Sequence, residues 1–135
     1  MPISQKRIKA FVANATGSPI QAYDDFGAAR KALFAKEAKA IARELAKLMG
    51  LPKGSYEIRY NPGGIAVCGD VHLHGEGIYV DFSQTCLGPD WGFMYRSCKG
   101  QKDYTGGQNR WMPWKQLLDL PEAARIIAQE MAVPA

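Results

Sequence analysis

Apolar residues recur every three or four positions between residues 28 and 49, the spacing of a helix with one buried side. This stripe consists of Phe34, Ala38, Ile41, Leu45 and Leu48. Gly50 follows as a typical left-handed cap residue, and Pro52 prevents the helix from continuing. The pattern therefore predicts a long amphipathic helix from about Ala28 to Met49.

Two shorter segments precede this helix. Residues 3–13 fit either a strand or a helix. Ser18, Pro19 and Gln21 form a possible helix start, because serine can cap a first turn, proline suits its first position and glutamine can reach back to the cap. The sequence thus predicts one or two helical turns from Ser18, which Gly27 would interrupt.

From residue 55 onward the hydrophobic pattern changes to a period of two, which is typical of strands. Glycine-rich turns separate the segments, and one side of the strands is apolar while the other is polar. The predicted strands are residues 56–60, 65–74, 78–82 and 93–98. These features predict an antiparallel meander of three or four strands with one buried face.

The turn between the second and third strands decides which residues face each other. A two-residue loop at Gly75 and Glu76 would place Asp70 opposite Asp81, so that two like charges oppose each other. A loop at Glu76 and Gly77 places His72 opposite Asp81 instead and keeps the apolar side intact. We therefore predict the second register.

The last third of the chain begins with a polar stretch. Residues 99–109 contain no aliphatic side chain, and a polar loop of this length is usually functional or disordered. Residues 114–118 predict a helical turn, and Pro121 opens a final helix that reaches about Met131, with Ile127 on its inner side. The order predicts an α+β fold with helices packed on one face of an antiparallel sheet.

Composition narrows the class of protein but does not indicate a function. The chain has 135 residues, 47% of them hydrophobic and 22% charged, which suits one globular domain covering residues 1–135. The apolar runs are too short to cross a bilayer, and the N-terminus lacks an apolar core of signal-peptide length, so we expect a cytoplasmic protein. Three cysteines without CxxC spacing indicate neither a disulfide framework nor a zinc finger.

The net charge of +4 is unevenly distributed. Residues 1–60 carry 11 basic and 5 acidic side chains, whereas residues 61–95 carry four acids and no lysine or arginine. Residues 96–135 return to a basic excess, with 6 basic and 4 acidic side chains. An acidic middle between basic flanks would give a dipolar surface able to steer a charged partner.

The segment from residue 96 to residue 114 combines cations with aromatic rings. This combination is typical of single-stranded nucleic-acid sites, where cations follow the backbone and bases stack on rings. The candidate ligand-binding residues are Arg96, Lys99, Lys102, Tyr104, Arg110 and Trp111. The alternative is that the tryptophans Trp111 and Trp114 pack inward and anchor the loop.

The long helix offers a second basic surface, opposite its apolar stripe. Its members fall within about an 80° arc at 100° per residue. They are Lys36, Lys39, Arg43 and Lys47. A straight basic ridge can contact a phosphate backbone or an acidic protein groove, although an ordinary solvated face is the alternative.

The polar side of the meander carries possible metal ligands. Its side chains are Cys68, Asp70, His72, His74 and Asp81. Two histidines at alternate positions of a strand lie about 7 Å apart on one face, and Asp81 across the strand could be a third ligand. His72, His74 and Asp81 are thus weak candidates for zinc or non-haem iron, with an unliganded polar face as the alternative.

Other chemistries find little support. Cys86 lies some six to eight residues from the histidines along the hairpin, too far for a catalytic Cys–His pair. Neither Gly63-Gly64 nor Gly106-Gly107 belongs to a nucleotide-binding motif. We therefore expect no cofactor and favour a non-catalytic protein.

The leading hypothesis is a small macromolecule-binding module that uses residues 96–114, with nucleic acid as the favoured partner. The second is a protein-binding accessory or inhibitor factor, of the type found in phages and mobile elements, that covers an acidic protein surface. A metal-dependent enzyme centred on His72 and His74 is the third. The polar sheet face could also join two copies of the chain in a homo-oligomer.

Overall fold

The first helix settles the open choice for the N-terminal segment. A computed structural model describes residues 2–84, 92–100, 103 and 105–131. In it, α1 spans Gln5–Thr16, and the Ser4 hydroxyl accepts a hydrogen bond from the Arg7 amide as its N-cap. Residues 3–13 are thus mostly helical, with Ile8, Phe11 and Ala15 buried.

The long helix α2 spans Asp25–Leu48, close to the predicted 28–49. The predicted helix start at Ser18 is wrong: Asp24 is the N-cap, and its carboxylate accepts from the Gly27 amide at 2.7 Å. The Ile20 amide instead donates to the Gln84 side chain, and the Ala22 amide donates to the Ile65 carbonyl. These long-range bonds hold residues 18–24 in a non-helical path.

Most of the predicted stripe on α2 is buried against the sheet. Phe34, Ala38, Ile41 and Leu45 are fully buried, as the spacing predicts. Leu48, the last residue of the helix, is 42% exposed. Gly50 has a φ of 72°, which confirms the left-handed cap.

The sheet is an antiparallel meander of five strands in sequential order. The α+β class is thus confirmed, and the predicted hairpin register holds, since His72 lies opposite Asp81 and Gly75 opposite Ile78. The strands are β1 (Tyr56–Asn61), β2 (Asp70–Gly75), β3 (Ile78–Phe82), β4 (Phe93–Ser97) and β5 (Arg110–Met112).

Two strand predictions differ from the structure. Residues 65–68 are not a strand, because β1 ends at Asn61 opposite Asp70 and leaves them no partner. Ile65 and Val67 are therefore exposed in a turn instead of lying on the buried face. Strand β5 was not predicted, since three residues ended by Pro113 are too short to display a period of two.

The C-terminal prediction is confirmed. Residues Trp114–Leu118 form a 3₁₀ turn, and α3 spans Leu120–Met131 with Ile127 fully buried. Helix α2 packs on β1 and β2, α3 packs on β3 and β4, and α1 packs against α2 and the 3₁₀ turn. Helices α2 and α3 thus cover one face of the sheet, and α1 is attached to them through α2 and the 3₁₀ turn.

Four aromatic rings join these elements in the core. Trp114 lies 5.6 Å from Phe11, 6.1 Å from Phe34 and 5.4 Å from Phe93, measured between ring centroids. Ring pairs at these distances and inclinations stabilise the fold by more than the burial of their apolar area alone. Trp114 therefore anchors the end of the long loop to α1, α2 and β4.

Among the described residues, no helix has the length and apolar character needed to span a bilayer.

Candidate functional site

The sheet face that the helices leave uncovered carries two rows of side chains, which we call the open sheet face. One row crosses all five strands through paired positions, and the next crosses four of them. The first is Trp111, Met94, Asp81, His72 and Arg59, and the second is Arg96, Tyr79, His74 and Glu57. The face is therefore rich in titratable groups, as its alternating pattern predicts.

The described part of the long loop lies against this face. Arg96 donates to the side chain of Asn109 at 3.0 Å and also to the carbonyl of Gly106. Gly107 has a φ of 70°, and a Cβ atom there would lie 2.4 Å from the Ser97 carbonyl oxygen. The His74 ring contacts the Gly100 carbonyl at 3.0 Å. Backbone and side chains of β2 and β4 thus hold the loop in place.

The predicted loop residues do not form one surface. Arg96 and Trp111 lie on the open sheet face, both half-buried, whereas Arg110 pairs with Glu130 of α3 at 3.4 Å on the helical side. Lys99 is exposed. Lys102 and Tyr104, also predicted as ligand-binding residues, lie outside the described residues.

The basic surface predicted on α2 has a different character. We call Lys36, Lys39, Arg43 and Lys47 the cationic helix face. Lys36, Arg43 and Lys47 are exposed, and Lys39 lies over the Tyr60 ring with 5.1 Å between its Nζ atom and the ring centroid. Among the described residues, none of the four forms an ion pair with a carboxylate.

An ion pair between α1 and α2 lies beside this face. Arg7 of α1 donates two hydrogen bonds of 2.7 Å to Glu37, whose side chain is buried between the helices. The hydrogen bonds from Arg7 hold the pKa of the Glu37 carboxyl below its usual value. Glu37 is thus paired with Arg7, and it also interacts electrostatically with Lys36 beside it. A groove continues from Arg7 to Arg43 and Lys47, and Glu44 also lines it.

Three side chains that can bind a metal ion lie together where β2 begins and β3 ends. The Nε2 atom of His72 lies 3.3 Å from a carboxylate oxygen of Asp70, and one oxygen of Asp81 joins them so that all three donor atoms lie within 4.8 Å of one another. The Tyr79 hydroxyl contacts the opposite ring nitrogen of His72. We call Asp70, His72 and Asp81 the Asp–His–Asp cluster.

Asp81, which is half-buried, has an altered acidity. Burial raises the pKa of Asp81 to about 6, the charge of Asp70 adds to the increase, and His72 opposes it. The Oδ1 atom of Asp81 is buried and has no hydrogen-bond partner among the described residues. A carboxylate in this situation is costly unless something positive compensates it.

The structure changes the set of possible metal ligands. His72 and Asp81 come together as the register predicts, but His74 is buried, directed at Gly100, and not part of the cluster. Asp70 takes its place. The sequence carries the signal for Asp70, since it precedes His72 by two positions on the same strand face.

The predicted side for Cys68 is wrong. It lies in the hydrophobic core, before β2 begins, and its thiol donates to the Gly69 carbonyl at 2.9 Å. Burial raises the pKa values of the Cys68 and Cys98 thiols, which makes both poor nucleophiles at neutral pH. Cys86 lies outside the described residues.

Comparisons of the chain with protein-family models, with curated proteins and with solved structures give no significant match. A functional proposal therefore depends on the geometry of these surfaces.

Proposed function

We propose that this chain is a small nucleic-acid-binding module whose main contact surface is the cationic helix face. The observation that carries the proposal is that three exposed cations stand in a row on α2 with no carboxylate partner among the described residues. Nucleic-acid affinity comes largely from lysine and arginine contacts to phosphates. Unpaired cations can make those contacts without first breaking an ion pair.

The spacing of these cations suits a regular polyanion. Lys36 and Lys47 are eleven residues apart on a continuous helix, about 16 Å at 1.5 Å per residue. That length corresponds to roughly five base pairs at 3.4 Å per nucleotide of one strand. A rigid row of this length can contact several phosphates at once, which a single small anion cannot exploit.

The surroundings of the row extend the positive surface. Helix α1 carries three basic residues and no acidic one. Arg7 is 45% exposed although it pairs with Glu37, and it borders the groove that leads to Arg43, which one carboxylate, Glu44, also lines. Phosphates on this side of the molecule would therefore meet cations from two helices.

The loop has a subordinate role in this proposal. Arg96 is already bonded to loop carbonyls and Arg110 is paired with Glu130, so a phosphate contact by either residue would compete with an existing interaction. Lys99 is exposed and Trp111 is half-buried. We accordingly place the main contact on α2, with the loop as a secondary surface.

Two variants of equal net charge separate the surfaces. Lys36→Gln, Arg43→Gln and Lys47→Gln together neutralise α2, and Lys99→Gln, Arg110→Gln and Lys115→Gln neutralise the segment after β4. Fluorescence anisotropy of labelled single- and double-stranded oligonucleotides at low salt measures the affinity of each. We expect the α2 variant to lose at least about tenfold in affinity, because each lost phosphate contact removes counterion release.

The control variant decides how the result is interpreted. We expect it to retain affinity within about threefold, since both variants carry the same net charge and Arg110 is already paired with Glu130. Absence of binding by the wild-type chain at low salt would contradict the proposal. Equal losses in both variants would show that binding depends on net charge alone and not on α2.

A protein partner is the second candidate, and a separate observation favours it. Four large apolar side chains are strongly exposed: Tyr23, Phe26, Ile65 and Val67 are 64%, 76%, 61% and 49% exposed. The hydrogen bond from the Ala22 amide to the Ile65 carbonyl brings their two segments together at one end of the molecule. Exposed apolar patches of this kind often mark protein interfaces.

This candidate has a test of its own. A pull-down experiment would compare immobilised wild-type chain with a Phe26→Ser variant. Lys36→Gln serves as a control, because it leaves the exposed apolar side chains unchanged. A partner retained by wild type and Lys36→Gln but lost with Phe26→Ser would support a protein-binding factor. A partner retained equally by all three would count against this surface.

A further inference from the structure

The Asp–His–Asp cluster brings three potential metal ligands close together. The distance of 3.3 Å from His72 Nε2 to Asp70 Oδ1 already matches the separation of two ligands on one metal ion. Metal–ligand bonds of roughly 2.0–2.2 Å place neighbouring ligand atoms roughly 3–4 Å apart. The cluster, whose donor atoms lie within 4.8 Å of one another, needs only a small side-chain adjustment to enclose an ion.

The buried Oδ1 oxygen of Asp81 is an observation independent of these distances. Its Oδ1 atom is buried and has no hydrogen-bond partner among the described residues. A buried carboxylate oxygen usually has a donor or a cation beside it. Its closest charged neighbours in the cluster are another carboxylate, Asp70, and an imidazole, His72.

The contact between Tyr79 and His72 is compatible with a ligating histidine. Metal-bound histidines almost always use their second ring nitrogen in a hydrogen bond that fixes the ring orientation. Here the Tyr79 hydroxyl contacts Nδ1 of His72. When Nδ1–H donates to this hydroxyl, the Nε2 lone pair faces Asp70.

The chemistry of the donors narrows the choice of ion. Imidazole suits zinc, iron, copper and nickel, whereas carboxylates suit manganese, magnesium and calcium. One imidazole with two carboxylates combines both preferences. We propose that Asp70, His72 and Asp81 form a binding site for a divalent transition-metal ion, either Zn²⁺ or Mn²⁺.

The site is accessible from one side. The side chains of Asp70 and His72 are 28% and 22% exposed, and Asp81 is half-buried beside them. An ion can therefore enter from solvent without opening the sheet. Three protein ligands leave at least one coordination position for water.

The site is separate from the surface proposed for nucleic acid. It lies on the open sheet face, whereas the cationic helix face lies on the helical layer on the opposite side of the sheet. The two proposals therefore fail independently, since neither metal binding nor nucleic-acid binding uses a residue of the other.

The test uses metal-free, tag-free full-length protein titrated with Zn²⁺ and, separately, Mn²⁺ by calorimetry. The variants are Asp70→Asn, Asp81→Asn and Tyr79→Phe, and Asp25→Asn is a carboxylate control on α2. We expect one equivalent of Zn²⁺ or Mn²⁺ to bind the wild type and the control. We expect at least tenfold weaker binding in each ligand variant and about tenfold weaker binding in Tyr79→Phe.

A spectroscopic measurement distinguishes metal binding at this cluster from metal binding elsewhere on the protein. Cobalt(II) substituted for zinc gives absorption bands that depend on its ligands, and these should change in Asp70→Asn and Tyr79→Phe while the circular dichroism spectrum stays the same. Asp70 is partly exposed, so its variant should fold normally. No binding by the wild type at millimolar metal, or equal binding in wild type and both aspartate variants, would overturn the proposal.

Discussion

The cationic helix face and the open sheet face both carry several charged side chains, but the two faces use them differently. On the sheet, Arg96 is bonded to the carbonyl of Gly106, and His74 contacts the carbonyl of Gly100, so charge and polarity serve to fix the loop. On α2, Arg43 and Lys47 have no such partner among the described residues. The number of cations in a segment therefore says little about how many are available to a ligand.

The largest loss of stability should come from disturbing the loop where it meets the sheet. Gly107→Ala should lower the free energy of unfolding by about 3–4 kcal/mol. Its left-handed backbone costs about 1–2 kcal/mol in alanine, and the new Cβ would overlap the Ser97 carbonyl. Gly77→Ala is the matched control, with a φ of 85° and nothing within 4 Å, and should cost only about 1–2 kcal/mol. Chemical denaturation measures both, and equal costs would show that the loop does not press on β4.

Asp81→Asn should stabilise the metal-free protein at high pH. Folding raises the pKa of Asp81 from 3.8 to about 6, so the folded state binds the proton more tightly, and ionisation above pH 6 costs up to about 3 kcal/mol. Most of this cost disappears as the pH falls to about 4, and the rest disappears below about pH 3, where the carboxyl is protonated in both states. Urea unfolding with a chelator present should show a large gain at pH 8 and a much smaller one at pH 4; an equal gain at both would exclude ionisation as its cause.

Arg96→Ala should have a smaller, local effect. Loss of its hydrogen bonds to the loop should lower stability by about 1–2 kcal/mol, since the guanidinium is half-buried and its acceptors lose a charged donor. Hydrogen exchange should accelerate at the Lys99 amide, which donates to Thr105 within the loop. Arg43→Ala, on the unpaired face, should change stability by less than about 0.5 kcal/mol, and a comparable loss there would remove the contrast between the faces.

Sequence periodicity predicted the elements that repeat their pattern over several turns or pairs. The stripe on α2 and the alternation from Val71 to Phe82 specify burial at many positions at once, so a single exception such as Leu48 does not obscure them. The hairpin register followed from avoiding two opposed carboxylates. Strand β5 has three residues and no repeat, so nothing local distinguished it from loop.

The partners of individual side chains could not be predicted in the same way. The helix signal at Ser18 is locally sound, but Gln84, more than sixty residues away, bonds to the Ile20 amide and overrides it. The ion pair between Arg110 and Glu130 likewise depends on how α3 packs against the sheet. Residue type indicated which groups could act, and the tertiary fold decided which of them remained available.

The salt dependence of duplex binding tests the central claim most directly. The slope of log Kobs against log salt concentration should become shallower by roughly 2–3 when Lys36, Arg43 and Lys47 are neutralised together, because each lost phosphate contact removes about 0.9 from it. The Lys99, Arg110 and Lys115 variant should keep nearly the wild-type slope. An unchanged slope in the α2 variant, with a shallower one in the loop variant, would contradict the account and move the contact surface to the loop.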